Sequence, residues 1–225
     1  MVQTSSSSIR WAKRPFRFVS AEHLLKIERQ RAANLSQLLE GVKSCSEDSI
    51  VQHTFRTLQE HHFIQEGYSN DFAHWVFFAC NKNELAERLA GLDIREFISV
   101  EMLRSRILET LEEYLAKFSQ AGERTALEPF YFCSSRTVVL PTKLLARNLH
   151  EFAKALESVS VHSLHYHFIE ARLRLKLRSN DFSRWLSEEM ELKHAAELVN
   201  QIDIYTLSLQ GVRQRILGIV EGAAA

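Results

Sequence analysis

The sequence predicts an all-α protein made of two tandem-duplicated helical halves, packed with pseudo-two-fold symmetry. Three observations predict it. The first is composition: 7 Gly and 3 Pro in 225 residues are too few for a fold rich in tight turns. The second is apolar spacing at i, i+3, i+4, i+7, without a long alternating run to mark a sheet. The third is an internal duplication. RPFRFVS (14–20) lies on EPFYFCS (128–134) at an offset of 129 − 15 = 114. That register carries AANLSQLLEGVKSCSEDSIVQH (32–53) onto ARNLHEFAKALESVSVHSLHYH (146–167) without a gap. A four-residue shortening changes the offset to 179 − 69 = 110, which aligns SNDF (69–72) and Trp75 with SNDF (179–182) and Trp185. A further single-residue gap brings Arg106-Ile107-Leu108 onto Arg215-Ile216-Leu217. An ordered series of this kind fixes the plan of the chain before any local reading. The copies span residues 14–115 and 128–222, joined by 116–127 into one integrated domain, with 1–13 as a disordered tail.

Taken in order, each copy opens on a short extended aromatic piece, FRF or FYF. A helix follows. In the second copy it starts near Pro141, whose fixed φ suits a first helical turn. Leu35, Leu38, Leu39 and Val42 form its buried stripe, and Leu149, Phe152, Ala153 and Leu156 repeat that stripe. A second helix covers 48–63 and 162–175. Next, Asn70 or Asp71, and equally Asn180 or Asp181, caps a helix whose Phe72 and Trp75, or Phe182 and Trp185, turn inward. Helices at 83–92 and 190–202 follow. The last helices start at the caps Ser99 and Ser208.

The 28 Lys+Arg balance the 28 Asp+Glu, so no overall charge recruits nucleic acid or an anionic membrane. No apolar run approaches the ~20 residues of a membrane helix, and the polar N-terminus lacks the apolar core of a secretory signal. Cys45, Cys80 and Cys133 are scattered and odd in number, which suits reduced thiols in a cytoplasmic protein.

Ten histidines are many for this length. His53 and His167 occupy matching positions beside the apolar face of the second helix. They are either partly buried structural groups or, joined by His61 and His62, a ligand or transition-metal site. His53 and His61 are eight residues apart, about 12 Å along a helix, so they cannot share one ion without help from another element. Asp71 and Asp181 read as caps, and Trp75 and Trp185 as core. ARLRLKLR (171–178) places Arg172, Arg174, Lys176 and Arg178 in one stretch, but it lacks the aromatic stacking platforms of a nucleic-acid surface. No phosphate loop, nucleophile elbow or cysteine–histidine motif occurs. The residues therefore favour a non-enzymatic interaction or regulatory protein with a protein partner, with the histidine-based metal protein or enzyme as the alternative.

EPFYFCSSRTVVLPTKLLARNLHEF, SLHYHFIEARLRL, SNDFSRWL and IDIYTLSLQGVRQRIL resemble a bacterial family known only as a domain of unknown function. So do SIVQHTFRTLQEHHF and SNDFAHWV in the first copy. The resemblance runs from Pro15 to the last helix. It implies genes placed beside sugar-nucleotide glycosyltransferases, and so a glycosyltransferase as a candidate partner. It also implies a second histidine two residues after His53, where this chain has Phe55.

Overall fold

The computed structural model describes residues 9–56 and 68–224. It corrects the all-α expectation: the helices are joined by a two-stranded antiparallel sheet. Strand β1 runs Phe16–Ala32 and β2 runs Phe130–Ala146, 17 residues each. The FRF and FYF pieces are thus the first residues of long strands. Pro141 lies inside β2, and the helix of that copy starts at Leu149. A two-stranded ribbon leaves one edge of each strand unpaired, so a residue without an N–H is tolerated there. A ribbon with little covering it shows no clean alternation, which is why the sequence carries no sheet signal. Leu24, Leu25 and Ile27 are all exposed, on both faces of β1. Thr142 Oγ1 donates to the Phe18 carbonyl, and Thr137 Oγ1 lies 3.3 Å from His23 Nδ1. Both pairs sum to 160 (142 + 18 and 137 + 23), as an antiparallel register requires.

Helices α1 (Leu35–Ser44), α2 (Glu47–Val51), α3 (Asp71–Phe78), α4 (Asn83–Ala90) and α5 (Val100–Lys117) belong to the first copy. The second copy repeats them as α6 (Leu149–Ser158), α7 (Val161–His165), α9 (Asp181–Glu188), α10 (Lys193–Asn200) and α11 (Leu209–Ala224), with α8 (Ala171–Leu175) between α7 and α9. Side chains of Asn34, Ser46, Asn70 and Ser99 accept the third backbone N–H of their helices. Asn148, Ser160 and Asn180 do the same in the second copy. Each cap satisfies a donor that the helix itself cannot.

The chain forms two compact units, and they are not the two sequence copies. One unit is Met1–Ala21, Val139–Ala171 and Ser179–Ala225; the other is Glu22–Val138 and Arg172–Arg178. Each unit therefore takes the opening residues of its strand from the other copy. In the first unit Phe16 and Phe18 lie against Phe152 and Phe182, with ring centroids 5.4–6.2 Å apart. In the second, Phe130 lies on Phe72 at 5.3 Å and beside Trp75 at 5.8 Å. Phe18 and Phe132 are among the largest fully buried side chains. In the second unit α1 packs against α5; in the first, α6 packs against α11.

Candidate functional site

After α2 and α7 the helices widen into one π turn each, Gln52–Arg56 and Tyr166–Glu170. The wider turn adds a residue to the helical circuit. His53 and His167 are the second residues of these turns, and each is 4% exposed.

The two rings make the same bonds. His53 Nδ1 lies 2.8 Å from Asp71 Oδ2, and His53 Nε2 accepts the Cys133 N–H at 2.8 Å. His167 Nδ1 lies 2.7 Å from Asp181 Oδ2, and His167 Nε2 accepts the Val19 N–H at 3.0 Å. A backbone N–H can only donate, so Nε2 is unprotonated and the ring proton sits on Nδ1, pointing at the carboxylate. Phe72, Phe130 and Phe132 surround the first ring, and Phe16, Phe18 and Phe182 the second. Neither ring nitrogen retains a free lone pair. A metal ion or a substrate proton could reach Nε2 only by displacing the strand.

The neighbouring asparagine and aspartate divide two tasks. Asn70 Oδ1 accepts the Ala73 N–H while Asp71 faces His53; Asn180 Oδ1 accepts the Ser183 N–H while Asp181 faces His167. The tryptophans complete the clamp. Trp75 Nε1 donates to the Glu128 carbonyl at 2.8 Å, and Trp185 Nε1 to the Arg14 carbonyl at 2.9 Å. In each unit His, Asp and Trp thus hold the start of the strand contributed by the other copy. His61 and His62 lie outside the described residues.

Other buried polar groups gave no signal by spacing. Arg56 donates to the Ser135 carbonyl at 3.1 Å and to Thr137 Oγ1 at 2.5 Å, and Ser135 Oγ donates to Gln52. The matching position in the second copy is Glu170, 3.3 Å from the fully buried His165. Arg172 of the basic stretch is buried and donates to the Arg178 carbonyl.

A cavity of about 350 Å³ opens beside His167, lined by Arg14, Arg17, Asp181, Arg184 and Glu188 among others. Arg14 is paired with Glu189 and Arg184 with Glu188. At the matching surface of the second unit stand Tyr131, His74 and Phe78, and Phe78 and Tyr131 are more than half exposed. Burial pushes the Cys80 thiol up to about 12 and raises the Cys45 and Cys133 thiols as well. All three are free. None is therefore an activated nucleophile.

Fold and site together define a duplicated mixed α/β protein whose strands are exchanged between copies and pinned by His–Asp pairs. A family model described as a family of unknown function, DUF5752, matches residues 13–221, and the chain belongs to that family. It is also similar to the solved structure of OrfY from Thermoproteus tenax, at 34% identity and a TM-score of 0.83, over 95% of this chain and 97% of that one. No curated protein matches it. Among the described residues, no helix is long and apolar enough to cross a membrane.

Proposed function

We propose that the chain is a non-enzymatic interaction protein whose partner is another protein. One observation carries the reading. The two matched histidines, the most specific chemical candidates in the sequence, spend both ring nitrogens on holding a strand to its helices. A group so placed stabilises a fold and has no lone pair left for a substrate or a metal. The solvent-facing Phe78, Tyr131 and Leu127 supply large apolar contact surface of the kind that protein partners cover. A glycosyltransferase is the partner class to try first, on the strength of the family resemblance. The three free thiols support action in a reducing compartment such as the cytoplasm.

Two measurements test this. Elemental mass spectrometry of protein purified without a histidine tag should find no stoichiometric transition metal. A stoichiometric metal lost in His53→Ala would overturn the reading. Affinity capture with the wild-type chain and with a Phe78→Asp, Tyr131→Asp variant should give a prey protein held by the first and released by the second.

A further inference from the structure

The first unit carries an open groove of about 780 Å³ between α10 and α11, floored by Leu192, Ala195, Leu198 and Ile219. Its α11 wall exposes Gln214, Arg215, Gly218 and Gly222, and the exposed Glu221 shares their helical spacing just beyond the groove. Gly218 lies inside α11, where a glycine costs roughly 1 kcal/mol relative to alanine, and Gly222 lies in its last turn. Among the described residues nothing packs where their side chains would be. A Cβ built on Gly218 or on Gly222 meets no atom within 4 Å.

The first copy shows what the same face looks like when it meets water. At the offset of 109, Gly218 and Gly222 fall on Glu109 and Glu113, and Leu198 falls on Arg88 at the offset of 110. There Glu109 pairs with Arg106 at 2.5 Å, Glu113 with Arg88, and Glu84 with Lys117 at 3.2 Å. The second copy has replaced a lattice of ion pairs by a smooth, partly apolar trough. Glycine at such positions lets another helix backbone approach closely.

The occupant is set by charge. Arg215 and Glu221 are exposed, and neither makes an ion pair among the described residues. They stand symmetrically about Gly218, since 215 = 218 − 3 and 221 = 218 + 3. A second α11 crossing antiparallel at Gly218 brings each Arg215 opposite the other copy's Glu221. Gln214 then falls opposite Gly222, since 214 = 218 − 4 and 222 = 218 + 4. A self-complementary patch is what a two-fold dimer requires. We infer that the α10/α11 groove is a homodimer interface, in which α11 of a second copy of this chain lies antiparallel over Gly218. This goes beyond the interaction reading above and does not depend on it.

Sedimentation equilibrium of the full chain tests it. Wild type should be dimeric at about 100 μM. Gly218→Glu, which installs the first copy's residue where there is room for it, should weaken association at least tenfold, equivalent to about 1.4 kcal/mol, without lowering Tm. Arg215→Glu should weaken it too, and adding Glu221→Arg should restore it. A monomeric wild type at this concentration overturns the inference. So does a Gly218→Glu chain that still dimerises, or a charge reversal that fails to rescue.

Discussion

The two copies share one frame and differ in what they present to solvent. In both, a histidine in a π turn binds an aspartate and a strand N–H, and a tryptophan binds the carbonyl just before that strand. Around this shared clamp the second unit sets His74, Phe78 and Tyr131, and the first unit sets Arg14, Arg184 and Glu188. Along the last helix the contrast reverses: ion-paired glutamates in the first copy, glycines in the second. Duplication has kept the clamp, changed the core around it in few places, such as Leu38 against Phe152 and Gly41 against Ala155, and changed the surface freely, where most changes cost little.

The largest effects should come from breaking the shared interior. Phe18→Ala and Phe132→Ala should each cost about 3–5 kcal/mol in chemical denaturation, and by similar amounts if the copies are equivalent. A double-mutant cycle sharpens this. Phe18 should couple to Phe152, whose ring it meets at 5.5 Å, by about 0.5–3 kcal/mol. Coupling to Leu38 instead, the residue the first copy has in place of Phe152, would show that the strands are not exchanged.

The histidine clamp comes next. His53→Ala or His167→Ala leaves a strand N–H without its acceptor and a carboxylate without its donor. Each should cost about 2–3 kcal/mol, read from urea midpoints, with equal losses in the two copies. A loss confined to one would break the equivalence.

One difference inside the core should be visible at smaller scale. A Cβ on Gly41 would fall 2.2 Å from the Phe132 ring, whereas the matching residue in the second copy is already Ala155. Gly41→Ala should destabilise by about 1–3 kcal/mol through overpacking, and Ala155→Gly by about 1 kcal/mol through helix propensity.

The thiols give a pH test. Cys80 is raised by burial to about 12, so it should react with iodoacetamide slowly at pH 8 and faster only as the pH climbs toward 12. A folded thiol held above its ordinary value of 9.0 contributes stability that is complete below pH 9 and lost as the pH rises through about 12. Cys80→Ala should flatten that alkaline decline. Smallest is the turn after α3 and α9, where Asn81 and Glu191 hold matching left-handed conformations at φ 54° and 58°. Asparagine tolerates that conformation better than glutamate. Glu191→Asn should therefore raise stability by about 0.5–1 kcal/mol, measured by thermal unfolding.

Much of this plan was legible in the residues. The repeat offsets of 114 and 110 map one histidine, one aspartate and one tryptophan of each copy onto the other. The stripe from Leu35 to Val42 marks α1, because burial on one helix face writes itself as a 3.6-residue period. The ribbon was not legible. Apolar residues such as Leu24, Leu25 and Ile27 stand on both of its faces in solvent, so no period of two survives to be read.

The chain by itself determined its duplication, its amphipathic helices and their polar caps. These depend on residues a few positions apart, and sequence records such spacing directly. Only the tertiary structure decided which copy's strand enters which unit, and with it what the histidines do. FRF and FYF carry the same phenylalanine spacing, so the pieces themselves do not say which copy's helices each will meet. The choice is fixed by contacts such as Val19 to His167 and Cys133 to His53, made across 148 and 80 residues of chain. Local pattern carries no trace of a partner that far away, because the free energy that selects it appears only when the whole chain has closed.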